Sequence, residues 1–338
     1  MKDDDVAEFD RTRFQSGRAA SEPSALCPTA LYLPVSSVAL RLLTPFAILC
    51  LTSATTCVRA ADAPQLAIYV MNADGGDLLK LIQAPGKKWH SSPTWSTDGK
   101  RVAFHAYPNE ATTPDSHVFV VNDDGTNLQD LGFGCYPAWS PDNKQLLFCM
   151  ADQNTEKANA GVWIMNADGK GRQWLFAGTS PVFAPDGSRI LFVSAHEGNQ
   201  SIYVYDMIEG IQKKILQEAY QRRPGSARWS PDSKKVAFVD ERNGKAELII
   251  IDAAGSEKEQ TMRHRGLIGG PIAWAPNQRI LLWSRENQPT DPQRLHSIPP
   301  EGDDAPVILS NQDVGTLNFE PDWSPDRQRI VFVSDRNK

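Results

Sequence analysis

WSPDNKQLLF (Trp139–Phe148) and WSPDSKKVAF (Trp229–Phe238) are two statements of one phrase. The phrase returns as WSTDGKRVAF (Trp95–Phe104), FAPDGSRILF (Phe183–Phe192), WAPNQRILLW (Trp274–Trp283) and WSPDRQRIVF (Trp323–Phe332). Its first aromatics are 44, 44, 46, 45 and 49 residues apart. A period in this range marks a repeat architecture. Each phrase describes a hairpin: an aromatic-ended strand, a Ser-Pro-Asp-Gly type of turn, and an alternating apolar strand. Pro fixes φ, Asp bonds its own backbone, and Gly or Asn tolerates positive φ.

Between the phrases lies a second unit, an apolar strand running into a tight turn. It reads IYVMNADGGD (Ile68–Asp77), VFVVNDDGTN (Val118–Asn127), VWIMNADGKG (Val162–Gly171), IYVYDMIEG (Ile202–Gly210) and LIIIDAAGSE (Leu248–Glu257), with a degenerate copy at LHSIPPEGDD (Leu295–Asp304). Asp-Gly between apolar strands is a strong hairpin signal. Two hairpins per period make four short antiparallel strands, the blade of a β-propeller. The fold class predicted is all-β, a six-bladed propeller of four-stranded antiparallel blades. The recurrent Trp95, Trp139, Trp229, Trp274 and Trp323 are expected to pack blade on blade. The repeat begins and ends in mid-period, so the N- and C-terminal strands are expected to share one blade and close the ring. Closure protects sheet edges that would otherwise pair with other chains.

The phrases W-S-P-D-G-K and I-Y-V-M-N-A-D-G resemble the repeats of the TolB propeller, bacterial relatives of WD40 repeats. The resemblance runs from Leu66 to the C-terminus and covers the propeller part only. It implies a mouth that receives another protein, as the TolB propeller receives a peptidoglycan-associated lipoprotein. The fold is shared by proteins of many functions, so function has to be argued from the site.

The leader has a different character. Residues 1–30 mix acidic, basic and polar groups without apolar periodicity. LLTPFAILCL (Leu42–Leu51) then has the length of a signal h-region, and small or hydroxyl residues follow it. Cleavage after Ala60 is expected, giving a leader of 1–60 and a propeller of 61–338, in a periplasmic or secreted protein. The long acidic stretch ahead of the h-region points to a translation start near Val35 to Leu40. An uncleaved anchor at Leu42 to Val58 is the alternative.

With 35 Lys and Arg against 41 Asp and Glu, the net charge of -6 gives no long-range attraction to nucleic acid. A monomer binding no nucleic acid is expected. Cys27, Cys50 and Cys57 lie in the leader, which leaves Cys135 and Cys149 at equal distances from the Asp142 turn. Adjacent antiparallel strands could join these two as a disulfide. A one-residue register shift would leave two buried thiols.

No nucleophile elbow, P-loop or H-E-x-x-H motif occurs, and the six histidines never fall into ligand spacing. No catalytic residue, metal or cofactor is assigned. The repeated Asp98, Asp142, Asp186, Asp232 and Asp326 read as turn residues. Positions that vary between blades at one structural place are where a specific surface can be written. The lead-ins to the inner strands qualify and supply His90, Ser91, Tyr136, Thr179, Arg222, Arg223, Asn318 and Glu320 as candidates for the axial mouth. Tyr and Arg are frequent anchors of protein contacts, and the two arginines suit a carboxylate or acidic segment. The resulting expectation is an exported, non-catalytic module binding an envelope protein or peptide. The alternative is a small carbohydrate lyase or hydrolase using His90 and Glu320 as acid and base.

Overall fold

The computed structural model describes residues 65–108, 115–150, 161–194, 200–216, 227–242, 245–255, 260–262, 267–275, 279–285, 294–299, 307–309, 312 and 315–336. The leader assigned to 1–60 lies outside them. The chain forms six four-stranded antiparallel sheets arranged as blades of a ring. Their first strands, which line the axis, are Trp89–Trp95 (blade 1), Cys135–Trp139 (blade 2), Thr179–Phe183 (blade 3), Arg228–Trp229 (blade 4), Leu267–Trp274 (blade 5) and Asn318–Trp323 (blade 6). Blade 6 closes the ring. Its two inner strands, Asn318–Trp323 and Arg329–Ser334, come from the C-terminal end, and its two outer strands, Ala67–Asn72 and Leu79–Ile82, from the N-terminal end. The seam runs in unbroken register from Ala67↔Ser334 to Asn72↔Arg329.

The turns are built as their composition demands. Ser96, Ser140, Ser230 and Ser324 each donate their hydroxyl to the aspartate two residues on, Asp98, Asp142, Asp232 and Asp326, at 2.6 Å. Each aspartate also accepts the N–H of the residue two further on. Blade 3 has Ala184 in the serine's place, and Ser188 caps Asp186 instead. Gly99, Asn143, Gly187, Ser233 and Arg327 all have positive φ, which explains why Gly and Asn recur there. In five blades the second turn leans on the first: the N–H groups of Ala73, Asp123, Ala167, Met207 and Ala253 donate to the carbonyls of Gln328, Lys100, Lys144, Ser188 and Lys234. All these turns therefore share one rim of the ring.

Packing follows the repeat. Phe104, Phe148, Phe192, Phe238 and Phe332 are wholly buried, and one apolar cluster fills each of the six blade interfaces. Above three interfaces an arginine bridges to the next blade. Arg101, Arg189 and Arg329 stack over Trp139, Trp229 and Trp95 at 4.4, 4.7 and 4.7 Å. Each also donates to a carbonyl of the neighbouring turn. Between blades 2 and 3 the pattern lapses, because Gln145 stands at the arginine position and Phe183 at the tryptophan position.

Candidate site in the axial channel

The first strand of a blade does not run straight. Ser92, Tyr136, Ser180 and Glu320, three residues before the blade aromatic, all have positive φ at 50 to 52°. Pro follows each of them. The strand pairing shifts register at the same place, between Ser91/Thr94, Cys135/Ala138, Thr179/Val182 and Phe319/Asp322. A bulge of this kind re-aims side chains. Here it turns the residues three and one before the aromatic toward neighbouring first strands around the axis.

The residue before the aromatic is small or neutral in blades 1, 2, 3 and 5, as Thr94, Ala138, Val182 and Ala273, and the last three pack into the blade interfaces. Blades 4 and 6 differ, presenting Arg228 and Asp322. Asp322 Oδ2 accepts from Thr94 Oγ1 at 3.0 Å and from the Trp95 N–H at 2.9 Å. One step nearer the start of the strand, Glu320 Oε2 accepts from Ser91 Oγ at 2.6 Å and from the Ser92 N–H at 2.5 Å. Blade 6 thus lays two carboxylates along the channel wall, each gripped on one oxygen by blade 1.

Glu320, Asp322 and Arg228 retain some accessible surface although protein encloses them on all sides, the condition of a channel wall. Desolvation raises both carboxyl pKa values. The bonds from Ser91 and Ser92, from Trp95 and Thr94, and the charge of Arg228 oppose that rise. Desolvation likewise lowers the Arg228 pKa against the pull of Asp322 and Glu320. Among the described residues Arg228 makes no contact ion pair with either acid. Its one bond is to its neighbour's carbonyl, that of Ala227, at 3.1 Å.

A family model of the TolB β-propeller domain, PD40, matches residues 58–314. The chain belongs to the TolB β-propeller family. A solved structure from Agrobacterium tumefaciens assigned as TolB superposes with a TM-score of 0.63 at 16% identity, covering 80% of this chain and 97% of that one. TolB from Acinetobacter baumannii gives 0.55 at 17% identity, covering 79% of this chain and 63% of its own. The tricorn protease gives 0.54 at 12%, covering 72% of this chain and 24% of its own. At such identities the likeness is one of fold. No curated sequence matches the chain.

In this TolB-family propeller the sequence candidates separate into groups. Ser91 and Glu320 meet in the channel across the seam between blades 1 and 6. Tyr136 sits on the bulge of blade 2, its N–H donating to His105 Nδ1 at 3.3 Å and its ring centroid 5.1 Å from that imidazole. Thr179 is partly exposed, with Cys149 Sγ 3.7 Å from its hydroxyl. Arg222 and Arg223 lie outside the described residues.

His90 and Asn318 are wholly buried and do not face the mouth. Both stand five residues before the blade tryptophan, where blades 2, 3 and 5 have Gly134, Gly178 and Gly269. A Cβ on those glycines would come within 2.7, 2.6 and 1.9 Å of Phe148, Phe192 and Trp283, so this position packs against the second strand. His90 accordingly stacks on Phe104 at 5.7 Å and accepts the Ala84 N–H on Nε2 at 2.8 Å. Burial lowers its pKa to about 4. His105, also buried, falls to about 3. Asn318 accepts from Arg336 at 2.8 Å. The His90 ring that the acid-base alternative would use is wholly buried, with Nε2 engaged by the Ala84 N–H.

Asp322 and Arg228 were missed. Comparing the blades one residue before the aromatic, as Thr, Ala, Val, Arg, Ala and Asp, would have found them. Cys135 and Cys149 are directly opposite in register, and both are buried thiols not joined as a disulfide. Cys135 Sγ lies 3.5 Å from the Cys149 carbonyl oxygen, whereas Cys149 Sγ is directed at blade 3.

Proposed function

We propose that this chain is an exported, non-catalytic binding module of the cell envelope that receives a segment of another protein at the mouth of its axial channel. The observation that carries the reading is the charged arc of Glu320, Asp322 and Arg228. Nothing in the folding repeat calls for these groups, and desolvation opposes the charge on all three. Burying charge costs free energy that a purely structural wall would avoid, and proteins tolerate such costs at sites of function. Membership in the TolB family supports the envelope location.

The test is capture from an envelope extract by the immobilised propeller, with the captured protein identified. Replacing Tyr136, Arg222 and Arg223 by Ala should lower capture while the melting temperature stays nearly unchanged. Retention of the same partner at the same affinity would move the binding surface to the outer blade edges.

A further inference from the structure

Glu320 and Asp322 stand two residues apart on one strand, with buried Pro321 between them. One oxygen of each is held by two donors from blade 1, and Asp322 also feels the Trp323 N–H of its own strand. Beside them is Ser92, whose N–H binds Glu320. It is 8% exposed, and its hydroxyl is buried without a hydrogen-bond partner. These groups offer three acceptors on one side of an enclosed channel. Arg228 is set two blades away, across the glycine-containing first strand of blade 5. A Cβ on Gly270 would meet Val239 of blade 4 at 3.8 Å, so blades 4 and 5 are in contact there.

We propose that the channel binds one cationic side chain, a lysine or arginine on an extended segment of the partner, between the carboxylates of Glu320 and Asp322. The proposal rests on the binding-module reading above and names the chemistry of the segment that enters. The three charged groups sum to one negative charge, so an anion approaching Arg228 would meet two carboxylates, whereas a cation on the blade 6 side completes the balance. Charge-assisted hydrogen bonds of this kind are the strong ones, and low local dielectric enhances them. A bare divalent metal suits the wall less well. Calcium and magnesium take six or more oxygen ligands, and among the described residues no three His, Cys, Asp or Glu side chains converge.

The probe is the pentapeptide Gly-Gly-Lys-Gly-Gly, acetylated and amidated so that lysine carries its only charge, titrated into the intact propeller against its norleucine counterpart. The lysine peptide should bind about tenfold tighter, the size expected of one charge-assisted hydrogen bond. Glu320→Gln with Asp322→Asn, which keeps acceptors for Ser91 and Trp95, should erase the difference. Should that variant fold poorly, Arg228→Met leaves the carboxylate bonds intact and should tighten the lysine peptide severalfold. Equal binding of the two peptides, no binding of either, or an unchanged affinity in Arg228→Met would overturn the proposal. So would a response to calcium chloride alone with none to the lysine peptide. Capture that depends on Tyr136 but is indifferent to charge at Glu320 and Asp322 would overturn the cation alone and leave the binding-module reading standing.

Discussion

The acidic residues of the turn rim and those of the axial channel are chemically alike and do opposite things. Asp98, Asp142, Asp232 and Asp326 recur at one position of the repeat, each gripped by its own serine and backbone, and their pKa values are lowered. Asp186 falls to about 2, where bonds from Ser188 and Arg189 outweigh desolvation. Glu320 and Asp322 occur in one blade only, and desolvation raises their pKa values despite four hydrogen bonds. Charge on the rim therefore supports the fold, and charge in the channel opposes it. What repeats builds the ring; what departs from the repeat, against its own stability, marks the site.

The largest effect that would separate structure from site is loss of the seam. Deleting residues 323–338 removes the strand Arg329–Ser334, which pairs with Ala67–Asn72 on one side and Asn318–Trp323 on the other. Cooperative unfolding of the whole ring should disappear; a truncated chain that melts like the intact one would show that the blades are independent. Next comes a pair of substitutions. Phe192→Ala empties a wholly buried repeat position and should cost about 3–5 kcal/mol in denaturant unfolding. Tyr136→Ala, on the bulge, should cost under about 1 kcal/mol if its main role is in binding.

Smaller effects test the opposition of sign directly. Ser140→Ala removes a buried hydroxyl that bonds Asp142 and the Gln145 N–H, and about 1 kcal/mol should be lost. Glu320→Gln should leave stability at pH 7 unchanged or raise it. For the rim aspartates, whose pKa values are lowered from 3.8, the stabilisation is present above that pH and drains away as pH falls through the lowered folded values, about 2 for Asp186. For Glu320 and Asp322 the stabilisation is present below their unfolded values and is lost as pH rises through their raised folded values. Acid melting curves of Asp186→Ala should thus lose part of the fall below pH 3.8, whereas those of Glu320→Gln should converge with wild type at low pH. Smallest is the thiol pair: alkylation after unfolding should label both Cys135 and Cys149 without reductant. A mass two hydrogens lighter and refractory to alkylation would establish a disulfide.

Most of the ring was legible because the repeat is written in residues with one physical job each. Trp, Pro, Asp and Gly fixed the hairpins, and the mid-period chain ends announced the shared blade. The site was legible in part. Ser91, Tyr136, Thr179 and Glu320 were found by looking where blades differ, yet the same rule also picked His90 and Asn318. These differ from their glycine counterparts because each fills a slot above an aromatic, a packing solution invisible without knowing which residue faces which strand. Asp322 and Arg228 escaped because they adjoin the repeated tryptophan and looked like part of the constant phrase. The αL-Pro bulge beside Asp322 has no one-residue signature: Ser, Tyr, Ser and Glu all occupy its positive φ in blades 1, 2, 3 and 6.

The central claim is that the channel charges exist for binding and are tolerated by the fold. It is tested most directly by measuring melting temperature and envelope-partner capture side by side on Glu320→Gln with Asp322→Asn. The account predicts a melting temperature held or raised at pH 7 together with loss of capture. A lowered melting temperature with capture intact would make the two carboxylates structural and contradict it.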